Sequence, residues 1–161
     1  MDHYFIHDTP IGELVIETNL DFLINISFRY KLIKNTKNFS KKIKNFVLEK
    51  TIDQLNEYFF YNRKIFTIPY ILNTSPFYRK VLNEVAKIPF GEVRTYKQIA
   101  KQVNNQNAYR AVANANAHNP FPIIIPCHRV IKASGEIGGY GGGVKNKSFL
   151  LKHENKLGRF H

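Results

Sequence analysis

The hydrophobic pattern of the chain changes near its midpoint, and this change constrains the fold more than any other feature. In the first half, short runs rich in β-branched and aromatic residues occur at 4–6, 13–17 and 22–28, separated by TPIGE and TNLD. Such runs predict an antiparallel hairpin or meander. Apolar residues at helical spacing follow over 46–63. The order of these segments indicates a small α/β module.

Two further stretches complete the first half. The sequence KLIKNTKNFSKKIKN at 31–45 is rich in Lys and Asn and predicts a loop or a frayed helix start, and KIFTIPY at 64–70 predicts a short strand. We therefore expect an N-terminal α/β domain over residues 1–72. This half has two His and no Cys, which argues against a structural zinc site.

Helix signals and small residues dominate the second half. Ser75 before Pro76 predicts a helix start, and Thr95 with Gln98 three positions later forms a capping box. The sequence NAYRAVANANA at 107–117 predicts the next helix. Two short helices joined by the polar turn NNQN form a helix-turn-helix candidate. The alternative is a buried helix of small residues packed tightly against its neighbour.

The last part of the chain predicts a short β-hairpin. The run PIIIP at 122–126 has the composition of a strand, and a turn at 133–135 separates the following residues into two more strand-like runs. The fold class we expect is α+β. An α/β N-terminal module precedes a mainly helical C-terminal domain over 73–161, which is winged helix-turn-helix-like with a short active-site β-hairpin.

Charge is unevenly distributed along the chain. The net charge is +12, with 10 Lys/Arg and 8 Asp/Glu up to Leu72 but 14 Lys/Arg and 4 Asp/Glu from Asn73 onward. A basic half of this kind attracts polyanions such as nucleic acid. The start of the chain has no signal-peptide pattern, and no run approaches a membrane span. A single cysteine also fits a reducing cytosol, so we expect a cytoplasmic protein without a membrane partner.

The one cysteine, Cys127, follows the apolar run and precedes His128 and Arg129. The thiolate is the nucleophile, and an adjacent imidazole lowers the cost of forming it by accepting the proton. In a regular strand Cys127 and His128 would point to opposite faces, so their cooperation requires a bend or a bridging water. An orienting carboxylate would come from the four in this half, and spacing alone does not select one: Glu84, Glu92, Glu136 or Glu154. The alternative is a small core cysteine.

The glycine-rich sequence GGYGGG at 138–143 surrounds a single aromatic ring, Tyr140. Glycine permits close approach of the backbone to a ligand, although a flexible surface loop would have the same composition. The sequence VKNKSFLLKHE then predicts a final helix that ends at Glu154.

Together these residues resemble the O6-methylguanine–DNA methyltransferase family, also called O6-alkylguanine–DNA alkyltransferases. The signature is Pro-Cys-His-Arg-Val, here Pro126 to Val130. The similarity also covers SPFYRKVLNEVAKIPFGEVRTYKQIA, RAVANANAHNPFPIIIPCHRVI and GGYGGGVKNKSFLLKHE, in the family's order. It extends over about residues 73–156, and TPIGELVIE fits the N-terminal part more loosely.

The resemblance implies a role for each matching residue. Cys127 accepts the alkyl group, His128 takes its proton through a water, and Glu154 orients His128. Tyr96 turns the target phosphate and protonates the departing guanine, while Asn119 ties the hinge to the active-site turn. The DNA-binding residues implied are Arg110, which replaces the flipped nucleotide, with Tyr96, Ala111, Ala113 and Asn114. The base pocket implied is formed by Val130, Tyr140, Gly141 and Gly142.

The implied activity is irreversible, stoichiometric transfer of the alkyl group from O6-alkylguanine, and possibly O4-alkylthymine, to Cys127 after base flipping through the minor groove. The protein is expected to act as a monomer on double-stranded DNA that contains alkylated bases, without a cofactor or a metal. Several relatives carry Ser where this chain has Gly141, which removes one hydroxyl from the implied pocket. Two other functions stay open: a thiol hydrolase, which would turn over, and a non-enzymatic lesion-sensing DNA binder, which would not transfer the group.

Overall fold

The structure is a computed structural model that describes residues 3–28, 31 and 45–155. The chain forms two compact units, Met1–Leu72 and Asn73–His161. The loop or frayed helix start expected at 31–45 lies outside the described residues except at its two ends. Helices and small sheets are both present, which confirms the α+β class.

The first unit contains a three-stranded antiparallel sheet in the order β1 (His3–Thr9), β2 (Gly12–Thr18) and β3 (Leu23–Phe28). The predicted meander is therefore confirmed. Gly12 has φ 100° at the β1–β2 turn, where a glycine tolerates a left-handed backbone that other residues avoid.

Helix α1 (Phe46–Phe60) forms where the sequence predicts a helix, and it packs against this sheet. The side chain of Asn45 accepts a hydrogen bond from the backbone N–H of Leu48 at 3.0 Å and caps the helix. Its buried face presents Leu55 and Tyr58, and the sheet contributes the fully buried side chains of Leu14 and Ile16. Burial of such side chains stabilises the fold by about 1.5–3 kcal/mol each.

The strand predicted at 64–70 does not form. Only one isolated parallel bridge, between Leu23 and Tyr70, joins this segment to the sheet. Pro69 has no N–H to donate to a ladder, although its carbonyl accepts from the Leu23 N–H at 2.8 Å. Farther back, the backbone N–H of Thr67 donates to the side chain of Gln54 at 2.9 Å. A side chain thus takes a bond that a neighbouring strand would have supplied.

The second unit is mainly helical. Its helices and two short strands are α2 (Pro76–Ala86), β4 (Arg94–Thr95), α3 (Tyr96–Gln102), α4 (Tyr109–Ala117), β5 (Val130–Ile131) and α5 (Val144–Glu154). Ser75 caps α2, and Thr95 and Gln98 form both bonds of the predicted capping box. The helices α2, α3 and α4 pack against one another, with Val85, Ile99 and Val112 fully buried.

The predicted active-site β-hairpin is wrong. β5 pairs with β4 in parallel, Arg94 opposite Val130, and the segment 122–126 contains only the bridge between Pro122 and Ile125. Prolines at both ends of this apolar run cannot donate ladder bonds, so the run passes through the core without a partner strand. The N–H of Lys132 donates to the Glu136 carbonyl at 3.0 Å, which closes a turn, but residues 137–143 form no second strand. No helix of the described residues is long and apolar enough to cross a membrane.

Candidate active site

The cysteine lies in a tight turn rather than in a strand. A 3-10 turn spans Cys127–Arg129 and begins directly after Pro126, whose carbonyl accepts from the Arg129 N–H at 2.9 Å. This turn is a bend in the backbone, one of the two routes by which Cys127 and His128 were expected to cooperate; the other is a bridging water. Cys127 is 5% exposed and His128 is fully buried. The cysteine is therefore almost wholly enclosed by the protein.

Of the four carboxylates in this half, Glu154 contacts the histidine. His128 Nε2 lies 2.6 Å from Glu154 Oε1, and both side chains are buried. We assign the proton to Nε2, which then donates to the carboxylate, because His128 and Arg129 hold the pKa of Glu154 low. In a neutral ring Nδ1 is then a proton acceptor. Nδ1 is buried and has no hydrogen-bond partner among the described residues, so it is available for a proton from a bridging water.

Arg129 holds the same carboxylate from the other side. Its Nε and Nη2 donate to Glu154 Oε2 and Oε1 at 2.8 and 2.9 Å, and its Nη1 donates to the Ile88 carbonyl at 2.6 Å. Burial would raise the pKa of Glu154, but His128 and Arg129 together hold that pKa well below its usual range. Glu154 therefore stays anionic at neutral pH.

The pKa of His128 falls below its ordinary value. Burial lowers it most, the Glu154 carboxylate opposes that effect, and the cations of Arg129 and Lys147 lower it further. A neutral imidazole at neutral pH is the form that can accept a proton. The neutral His128 imidazole can therefore act as a base within the cysteine turn.

The thiol itself is held in its neutral form. Burial raises the pKa of Cys127, while the Asn119 side chain and the Lys147 ammonium lower it to a smaller extent. A protonated, buried thiol is a weak nucleophile, so Cys127 is unreactive until its proton is removed.

Lys147 is a buried cation beside the thiol. Its side chain is fully buried, and its Nζ donates to the carbonyls of Val130 and Gly139 at 2.6 and 3.2 Å. Burial lowers its pKa to about 8, and Cys127 raises it in opposition. Nζ also lies 6.0 Å from the centre of the Tyr96 ring. This lysine joins α5 to β5, directly after the cysteine turn, and to the glycine-rich segment at 138–143.

Two asparagines brace the approach to the cysteine. Asn119 Nδ2 donates to the Ile125 carbonyl at 2.8 Å, and its Oδ1 accepts from the Phe121 N–H at 2.9 Å. Asn116 Nδ2 donates to the Cys127 carbonyl at 3.1 Å. The end of α4 is thereby fixed to the segment that carries the thiol.

The glycine segment turns back toward the site. The Gly143 N–H donates to the Tyr140 carbonyl at 3.0 Å, and Asn146 Nδ2 donates to the Gly142 carbonyl at 2.8 Å. Gly138 has φ 78°, and a side chain there would meet Tyr96 at 3.5 Å from its hydroxyl. That distance is an ordinary van der Waals contact, so it is the left-handed backbone that favours glycine at this position.

Helix α4 exposes the residues that the sequence assigned to DNA. Arg110, Ala111 and Asn114 are exposed, and Ala113 is partly buried. The guanidinium of Arg110 lies 5.9 Å from the centre of the Tyr109 ring. The exposed face of α4 therefore carries small side chains, apart from the long side chains of Tyr109 and Arg110.

The structure brings the predicted Cys127, His128, Asn119 and Glu154 to one place, with Tyr96 close enough to be influenced by Cys127. Sequence reasoning gave no role to Arg129, Lys147 or Asn116. Lys147 lies seven residues before Glu154, two helical turns away on the same face of α5. A lysine on the buried face of a helix was the signal that could have identified it.

The fold and the site define a class before any comparison: a domain with two short helices joined by a turn, and with a buried thiol next in sequence to a buried histidine–glutamate pair. Comparison with known families agrees. The model of the 6-O-methylguanine DNA methyltransferase DNA-binding domain matches residues 76–156, and that of the ribonuclease-like domain matches residues 3–71. The chain belongs to the 6-O-methylguanine DNA methyltransferase family.

Individual relatives match over nearly the whole chain. The methylated-DNA–protein-cysteine methyltransferase of Mycobacterium tuberculosis is 38% identical over 154 residues, covering 96% of this chain and 93% of the relative. The constitutive enzyme of that name from Bacillus subtilis is 36% identical over 162 residues, with 96% of each chain covered. A crystal structure of the M. tuberculosis protein in complex with DNA matches with TM-score 0.86 and 38% identity, covering 96% of this chain and 93% of that one.

Proposed function

We propose that Cys127 receives the alkyl group directly from O6 of an alkylated guanine in double-stranded DNA, once per protein molecule. As a member of its family, the chain is a DNA-repair methyltransferase that acts on DNA and uses its own cysteine as the acceptor. The observation that carries the residue assignment is the buried pair of His128 and Glu154, 2.6 Å apart, because His128 lies in the same turn as the chain's only cysteine and Glu154 reaches it from α5.

The reaction begins with removal of the thiol proton. A water between Sγ and His128 Nδ1 passes that proton to the imidazole, and Glu154 stabilises the resulting imidazolium. Lys147 stabilises the thiolate from the other side through its charge. Sγ then attacks the alkyl carbon, the S–C bond forms, and the bond from that carbon to O6 breaks.

The departing guanine needs a proton as its oxygen becomes a carbonyl. Tyr96 gives its hydroxyl proton to the base, and the proton held on His128 later restores Tyr96 through solvent. Val130, Tyr140, Gly141 and Gly142 form the walls of the pocket that holds the flipped base. Asn119 keeps the segment before Cys127 in place. The thioether product has no route to hydrolysis at this site, so the protein is consumed.

DNA reaches the thiol only if the nucleotide leaves the stack, because the duplex hides the O6 substituent. Arg110 fills the gap, which offsets part of a flipping cost of a few kcal/mol. Ala111, Ala113 and Asn114 let α4 lie against the minor groove without reading a fixed sequence. The excess of basic residues after Asn73 supports binding to any sequence.

We assign DNA binding and alkyl acceptance to a domain at 73–161, and an α/β domain to 1–72. We also propose that the protein acts as a monomer in the cytoplasm. A repair protein that depends on one free thiol is suited to a reducing compartment.

The test is stoichiometry on a duplex oligonucleotide with one O6-methylguanine, supplied in excess. Repaired guanine should rise to one per protein molecule and stop. Cys127→Ala should bind the duplex and repair nothing. Continued turnover by the wild type would indicate a hydrolase. Binding by the wild type without any repair would indicate a lesion-sensing DNA binder.

A further inference from the structure

Asn116 is a buried polar residue on a helix otherwise made of small and apolar buried positions. On α4 its buried neighbours are Val112 and Ala115, and Asn116 itself is 6% exposed. Burial of an amide is unfavourable unless its hydrogen bonds are made. An alanine or leucine would serve helix packing as well, so the amide calls for another explanation.

The N–H donor of the Asn116 amide makes a hydrogen bond, whereas the acceptor oxygen does not. Nδ2 donates to the Cys127 carbonyl at 3.1 Å, whereas Oδ1 is buried and has no hydrogen-bond partner within 3–28, 31 and 45–155. A buried acceptor left unpaired costs about 1–3 kcal/mol. Unpaired buried groups of this kind are expected at sites where function, rather than stability, fixes the side chain.

The same side chain also reaches Tyr96. Burial raises the pKa of Tyr96 and Cys127 raises it further, while hydrogen bonding by the Asn116 side chain lowers it. The amide thus interacts with both the backbone of the nucleophile and the Tyr96 side chain. Asn116 is carried by α4, six residues after Arg110.

We propose that Asn116 is a positioning residue for alkyl transfer: it fixes the Cys127 backbone and the Tyr96 hydroxyl relative to each other and to the DNA-binding helix. This inference rests on the proposed function of Cys127 and Tyr96. When Tyr96 gives its proton to the departing guanine, the Asn116 N–H stabilises the phenolate that remains. Because Asn116 belongs to α4, binding of that helix to DNA and positioning of the Cys127 thiol occur together.

The test compares Asn116→Leu, which removes both polar atoms, with Asn116→Asp, which keeps the shape and the acceptor but replaces the donor by a charged carboxylate oxygen. Asn83→Leu is the matched control, because Asn83 is exposed on α2, away from the proposed machinery. Single-turnover rate constants at saturating methylated duplex and the dissociation constant for DNA are measured separately. The loss of one buried hydrogen bond predicts a rate about tenfold lower for Asn116→Leu, and a larger loss for Asn116→Asp, whose carboxylate also opposes formation of the Cys127 thiolate. DNA affinity should stay unchanged in both variants, and the control should show no effect.

The pH profile separates positioning from packing. The groups that face Tyr96 and titrate are Cys127 and, from α5, Lys147; both are kept in every variant. Without the Asn116 donor the Tyr96 proton is held more tightly, so the alkaline limb of the rate profile should move to higher pH in both variants.

Three results would overturn the inference: an unchanged rate, a slower rate with the alkaline limb unmoved, or a loss confined to DNA affinity. Urea unfolding of each variant identifies a folding defect, and the isosteric Asp variant then decides the outcome. A wild-type protein that transfers no methyl group would instead refute the proposed function.

Discussion

Replacement of Glu154 by glutamine tests the buried charge network while leaving its shape intact. The carboxylate accepts from His128 Nε2 at 2.6 Å and from Arg129 Nε and Nη2 at 2.8 and 2.9 Å, and its side chain is 1% exposed. A glutamine oxygen can replace Oε1 and keep two of these donors. Its NH2 group must then face Arg129 Nε–H, so one hydrogen bond becomes a repulsive contact.

The larger effect is electrostatic. Arg129 would remain buried with no carboxylate, and removal of one partner from a buried ion pair costs about 3–5 kcal/mol. Since Glu154→Gln keeps most of the hydrogen bonds, we expect the lower end, about 3 kcal/mol of unfolding free energy. The histidine would also lose the anion that stabilises its protonated form. Because the tautomer is retained, we expect single-turnover methyl transfer to slow by about 100-fold, the lower range for general-base catalysis.

The assays are urea unfolding and single-turnover repair of a methylated duplex. Glu92→Gln is the control, since Glu92 pairs with Arg94 at 3.0 Å on the surface, where ion pairs contribute at most about 1 kcal/mol. The stability difference should be full above about pH 4.3, the ordinary pKa of an unfolded glutamate, and shrink at lower pH as the unfolded carboxyl takes up a proton. If the Glu154→Gln protein unfolds at the same urea concentration and transfers the methyl group at the same rate as the control, the role assigned to the Glu154 charge is refuted.

Two further predictions concern cations at the two ends of the reaction. Lys147→Met should lower the rate at which iodoacetamide modifies Cys127 at pH 7 by about tenfold, since a nearby cation favours the thiolate. Lys152→Met, a change at an exposed position of the same helix, should have no effect on this rate. Equal rates for the Lys147→Met protein and the wild type would show that Lys147 does not stabilise the thiolate. Arg110→Ala should slow repair of a methylated duplex far more than repair of the same strand unpaired, because only the duplex must be opened. Equal slowing on both substrates would show that Arg110 serves general DNA affinity instead.

The sequence predicts the elements of this fold where local signals are strong. Ser75 with Pro76 and the Thr95 capping box lie at the helix starts of the structure. The prediction of a strand at 122–126 fails because a run of isoleucines has the composition of a strand whether or not a partner strand exists. Here the prolines on both sides of the run have no N–H to donate to a neighbouring strand, and Pro126 leads into a 3-10 turn.

The contacts of the site depend on tertiary distance, which composition does not contain. Four glutamates were equivalent by spacing, and only folding brings Glu154 to His128. Arg129 lay in the signature but had no assigned partner until Glu154 and the Ile88 carbonyl were placed beside it. Asn116 appeared as one polar residue in a helix of small residues, and its bond to the Cys127 carbonyl follows from how α4 packs.

The most direct measurement follows the methyl group itself. A duplex whose single O6-methylguanine carries a deuterated methyl is incubated with the protein, which is then digested and mapped by mass spectrometry. The account predicts one deuterated methyl per protein, on the peptide that contains Cys127, and no labelled methanol in solution. Label on any other residue, or label released to solvent while the protein stays unmodified, would contradict it.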